Sequence, residues 1–87
     1  MEQNVTPSGH KVPLREQVAS NVRAELAANR MTAADLSRIL HVGYRAALRR
    51  FNGEQEIGLG ELATIAAALQ VPVSAFLAPR PVERAVA

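Results

Sequence analysis

The chain has 87 residues, 48% of them hydrophobic, no cysteine, and ten basic against eight acidic side chains. That is enough for one small core, and it excludes a disulfide framework and a thiolate metal site. No apolar run is long enough for a bilayer, and the N-terminus lacks the basic-then-apolar order of a secretory signal, so a cytoplasmic protein is expected.

In chain order, residues 1–12 contain Pro7, Ser8 and Gly9 among polar residues and read as a flexible arm. A first helix is expected over about 13–29, with Pro13 at its first position and Glu16 in its first turn, where the dipole favours an anion. Leu14, Val18, Val22 and Leu26 recur every four residues as one apolar stripe, which Met31 closes. Arg15, Asn21, Arg23 and Glu25 fall on other faces.

A second helix is expected over 33–40. Thr32 is a good N-cap and Asp35 stands three residues on, close to a capping box. Leu36 and Leu40 form its apolar stripe, with small Ser37 beside them. His41-Val42-Gly43 reads as a tight turn with Val42 pointing inward. A third helix follows over 44–51, with Ala47 and Phe51 facing the core and Asn52-Gly53 as its stop. After a loop, 54–58, a fourth helix over 59–70 carries the stripe Leu62, Ile65, Ala66 and Leu69. Val71-Pro72 ends it. A short fifth helix over 73–77 would offer Phe76 and Leu77 to the core. Residues 79–87, opened by Pro79 and Pro81, read as a C-terminal tail. No strand pattern appears, so the expected fold is an all-α, compact five-helix domain over 13–78 with short connections.

The charge distribution says more than the net charge of +2. Arg38, Arg45, Arg49 and Arg50 follow one another with no acid between Asp35 and Glu54. A local basic face on a nearly neutral protein is an electrostatic footprint for nucleic acid, or an ordinary solvated helix surface. No acid–base pair, nucleophile arrangement, metal-ligand cluster or phosphate loop is visible, so an enzyme is not expected, nor a cofactor or a small-molecule substrate. His10 and His41 are isolated.

Three segments, Met31–Val42, Arg49–Glu54 and Leu59–Leu77, together resemble the lambda-repressor-like (Cro-type, XRE-like) helix-turn-helix DNA-binding domains, over residues 22–77. The resemblance implies that the third helix, 44–51, is a recognition helix for the major groove of double-stranded DNA. It implies base contacts from Tyr44, Arg45 and Arg49. It implies phosphate or backbone contacts from Thr32, the backbone near Ala33, Asn52 and Gln55; Arg38 is expected at the flanking phosphates, and so is Arg50, which stands where an apolar or aromatic residue is frequent in the family and is read as lying along the surface. For Arg45 the alternatives are a guanine edge, a phosphate or free surface; for Tyr44, DNA or a half-buried ring sealing the turn; for Arg49, a base, a phosphate (favoured over the base), or an ion pair with Glu54 or Glu56. His41 stands where glycine is usual in the turn.

The implied function is a sequence-specific transcriptional regulator, repressor-like, acting as a homodimer on an inverted repeat. Helix five with the C-terminal tail, or Ile39, would join the copies. The alternative is a protein-binding module of the same fold, antitoxin-like or a phage factor, in which Ile39, Leu48, Val73 and Val82 would matter more than the arginines.

Overall fold

The computed structural model describes residues 12–79. The expected arm and tail therefore lie outside the described residues, apart from Val12 and Pro79. So do His10 and Val82.

Among the described residues four α-helices are formed: α1 (Leu14–Ala28), α2 (Ala33–Leu40), α3 (Tyr44–Phe51) and α4 (Leu59–Leu69). No strand occurs among the described residues, and no helix there is long and apolar enough to cross a membrane. The fifth helix is not an α-helix. Val73–Phe76 makes a single 3-10 turn, because four residues after Pro72 cannot hold more than one turn. Phe76 is fully buried, but Leu77 lies beyond the turn and is exposed.

α2 packs against both α3 and α4, while α1 packs against α3 and the 3-10 turn. Val22, Leu26, Leu36, Ala47, Ile65 and Phe76 make the fully buried centre. The α4 stripe Leu62, Ile65, Ala66 and Leu69 is buried as its spacing predicts. The α1 stripe holds at Val18, Val22 and Leu26 but not at Leu14, which is 64% exposed. Pro13 is the N-cap rather than the first helical residue, and its carbonyl accepts from Glu16 and Gln17 N–H at 3.0 Å each. Leu14 thus sits at the very start of α1, where no neighbouring helix covers it.

Asn21, which lies off the apolar stripe, is nevertheless buried. Its Nδ2 donates to the carbonyls of Phe76 at 2.7 Å and Ala78 at 2.8 Å. A buried amide needs such partners, and here they fasten the C-terminal 3-10 turn across α1.

All four helices end in the same way. Arg30, His41, Gly53 and Gln70 adopt positive φ, of 59°, 57°, 79° and 60°. The N–H of the next residue then bonds back five residues: Met31 to Leu26, Val42 to Ser37, Glu54 to Arg49 and Val71 to Ala66. This is the Schellman arrangement, which satisfies carbonyls the helix leaves open. In three cases the following residue is apolar (Met31, Val42, Val71) and packs on the core. Gly53 alone needs glycine twice over, since an added Cβ would also lie 3.3 Å from Glu16 Cγ and 3.5 Å from Ala19 Cβ.

Candidate nucleic-acid interface

The helix pair α2–α3 is joined by three residues, His41 to Gly43. The left-handed His41 reverses the chain, and Ser37 Oγ donates to the Val42 carbonyl at 2.7 Å across the corner. Ser37 therefore fastens the turn as well as being small, a role that its side-chain size alone did not reveal. Val42 is partly buried against the core, as its position in the turn predicts.

α2 begins as expected. Thr32 Oγ1 accepts from the Ala34 N–H at 3.2 Å, and Asp35 Oδ2 accepts from the Thr32 N–H at 2.8 Å. Arg38 donates to Asp35 Oδ1 at 2.7 Å. The backbone bond from Thr32 and then the Arg38 guanidinium hold the Asp35 carboxyl below its ordinary value. Ala33 is buried. The Asp35 carboxylate already occupies part of the helix-start field that an external anion would use.

The arginines around α3 divide into two sets. Arg50 was expected at a phosphate, but its side chain is only 12% exposed. Its Nε and Nη2 donate to the two Glu61 oxygens at 3.0 and 3.2 Å, and Nη1 donates to the Ala46 carbonyl at 2.9 Å. Such a two-pronged pair is geometrically demanding and strong. Glu61 also accepts from the Gly58 N–H at 3.1 Å, so one carboxylate caps α4 and ties α3 to it. The Arg50 hydrogen bond drives the Glu61 carboxyl below its ordinary value, against partial burial that raises it, and the Gly58 N–H adds to the lowering.

Two arginines from α1 secure the end of α3. Arg23 Nη1 donates to the Phe51 carbonyl at 2.6 Å, with its guanidinium 6.0 Å from the Phe51 ring centre. Arg15 Nε donates to the Gly53 carbonyl at 3.1 Å. Cations at a helix C-terminus satisfy open carbonyls and complement the dipole. Neither side chain stood out in the sequence, because the groups they serve are 28 and 38 residues away.

The second set faces solvent. Tyr44 and Arg45 are exposed at the start of α3. Arg45, Leu48, Arg49 and Asn52 line one shallow depression with Glu54. These positions fall three, four and seven apart, so they share one helix face. Arg45 makes no hydrogen bond or ion pair with another described residue. Arg49 makes no ion pair with Glu54 or Glu56; its Nε donates instead to Gln55 Oε1 at 3.2 Å. Gln55 is half-buried and Asn52 exposed. Leu48, Ile39 and Val73 are partly buried, the last two against the core. Tyr44, Arg45, Arg49 and Asn52 thus gather on or beside one outward surface with Gln55. Thr32, Ala33 and Arg38 lie at α2, and Arg50 is drawn inward.

No protein-family model matches the chain, and no curated protein matches it. Solved structures do resemble it. The clp gene regulator ClgR from C. glutamicum superposes with a TM-score of 0.70 at 24% identity, over 77% of this chain and 87% of that one. The hypothetical transcription factor NHTF from Neisseria superposes with a TM-score of 0.70 at 25% identity, over 87% of this chain and 91% of that one. Both likenesses extend over most of each molecule, so the helical arrangement is a shared one.

Proposed function

We propose that this chain is a sequence-specific, double-stranded DNA-binding transcriptional regulator of the lambda-repressor-like helix-turn-helix type. Residues 13–78 form its DNA-binding domain, and α3 is its major-groove helix. The carrying observation is the pair Arg45 and Arg49, together on one outward face of α3 and without an acidic partner among the described residues. The gene regulator ClgR and the hypothetical transcription factor NHTF, similar over most of their length, support the same reading.

In this reading the chain works without bond chemistry. Arg45, at the first turn of α3, offers two parallel donors to the O6 and N7 edge of guanine. Tyr44 lies beside it against a base or the backbone. Arg49, Asn52 and Gln55 meet the strand flanking the groove. Arg38 and the Thr32–Ala33 backbone approach a second phosphate once Arg38 exchanges Asp35 for it. Phosphate contacts supply sequence-independent affinity and make it fall with salt. Arg50 contributes indirectly, by holding α3 at a fixed angle to α4. Two copies would bind an inverted repeat with half-sites roughly 34 Å apart, and the bound regulator would act as a repressor.

The test is selection of bound duplexes from a random library, then electrophoretic shift on the selected sequence. A specific complex that weakens with rising salt and is lost in Arg45→Ala supports the reading. No duplex complex at low salt, or an Arg45→Ala variant that binds as the parent does, refutes it.

A further inference from the structure

We infer that Leu48 is a specificity-determining residue: it reads the 5-methyl group of a thymine on the base pair beside the guanine that Arg45 takes. The inference rests on the DNA reading above and deepens it.

Leu48 is the apolar side chain of α3 that the fold does not account for. Ala47 is buried and Phe51 packs on the core. Leu48 is half-buried, yet it is not among the apolar side chains packed there. It lines the shallow depression on the outward face, where its companions Arg45, Arg49, Asn52 and Glu54 are all polar or charged. The helical turn sets Leu48 about 60° around the axis from Arg45 and about 100° from Ala47. It therefore stands on the flank of the arginine face and away from the core.

The surroundings choose the occupant. A protein interface gathers apolar side chains at its centre and leaves charge at the rim. Here one leucine stands among two arginines, an asparagine and a glutamate. A protein covering it would desolvate Arg45 and Arg49, which have no acidic partner among the described residues. The major groove avoids that cost, because guanine and phosphate accept from the arginines while the thymine methyl presents an apolar group between them. Leu48 lies about 4.5 Å further along the α3 axis than Arg45. That is close to the roughly 3.4 Å rise of one base-pair step, so the methyl belongs to the neighbouring pair. Leucine has no hydrogen bond to offer, so what it senses is methyl against hydrogen at C5. A 5-methylcytosine presents the same group.

The test uses the intact chain and the duplex selected above. Replacing its thymines by deoxyuridine, one at a time, removes the methyl and leaves every hydrogen-bonding group in place. In competition titrations one thymine per half-site should respond, next to the guanine at which Arg45→Ala loses its discrimination. Binding there should weaken about three- to fivefold, the factor that goes with burying one methyl. With a C·G pair at that position, 5-methylcytosine should bind more tightly than cytosine by about the same factor. Leu48→Ala should keep the parent's circular dichroism and Tm and erase both methyl effects; Leu48→Gln serves if the truncation disturbs the fold. Leu48→Met, which retains an apolar contact, should preserve them. A methyl effect undiminished in Leu48→Ala or Leu48→Gln overturns the inference, since another side chain would then hold the methyl. A specific, Arg45-dependent complex that is indifferent to uracil at every thymine overturns it too, leaves the DNA reading standing and returns Leu48 to a protein partner. No complex with any duplex sinks both.

Discussion

At the C-terminal end of α3, arginine is a structural residue, whereas on the outward face of the same helix it is unspent. Arg15, Arg23 and Arg50 give their donors to the carbonyls of Gly53, Phe51 and Ala46 and to the Glu61 carboxylate. Arg45 and Arg49, one helical turn apart, meet no carboxylate among the described residues. The contrast shows that a run of basic residues is not itself a binding surface. What matters is which charges the fold has already neutralised. The inward set makes the outward set useful, because a base-reading side chain needs a helix that does not rock.

The sharpest way to break the comparison is to exchange the consequences of the two sets. Arg45→Ala should cost specific duplex binding about 1–3 kcal/mol, roughly ten- to a hundredfold, while leaving thermal stability unchanged. Competition titrations on the selected site with a matched melting curve read both. Arg50→Ala should do the reverse. It removes a mostly buried, two-pronged ion pair, and stability should fall by about 1–2 kcal/mol. Chemical denaturation measures this, and an unchanged midpoint would mean that Arg50 is not structural.

The turn that aims α3 offers a smaller and opposite effect. His41 occupies a left-handed conformation that glycine adopts without steric cost. His41→Gly should stabilise the fold by about 0.5–1 kcal/mol. Gly53→Ala, at the other end of α3, should destabilise, since its Cβ would meet α1 as well as the backbone strain.

Arg49→Ala should leave the preferred sequence alone but reduce the salt dependence of binding by about one phosphate contact. The mildest effect is with pH. The folded Glu61 carboxyl titrates below its ordinary value because Arg50 donates to it. Its contribution to stability is therefore present above the unfolded glutamate pKa of about 4.3 and is lost as pH falls through the folded value. Acid titration of the Arg50→Ala variant should show this loss blunted.

Thr32, the apolar stripe of α4, the three-residue turn and the Asn52-Gly53 stop could all be read from the chain. Each depends on neighbours within about one or two helical turns, where capping, periodicity and left-handed residues act. The outward position of Arg45 was legible for the same reason, since Ala47 and Phe51 mark the opposite side of the helix. The inward fate of Arg50 was not. Spacing puts Arg50 on the flank of the core side, three residues after Ala47, but its partner Glu61 is 11 residues on and across a loop, so the pair itself was not visible.

Local sequence thus determined the extent of α2 and α3 and the buried stripe of α4, because those choices are settled by hydrogen bonds and side-chain spacing within a few residues. The tertiary structure alone decided that Asn21 holds the C-terminal turn from 55 residues away, that Leu14 stays outside, and that around α3 Arg15, Arg23 and Arg50 serve the fold while Arg45 and Arg49 face outward. A long polar side chain goes wherever a distant carbonyl or carboxylate lies within reach, and that distance exists only once the helices have packed.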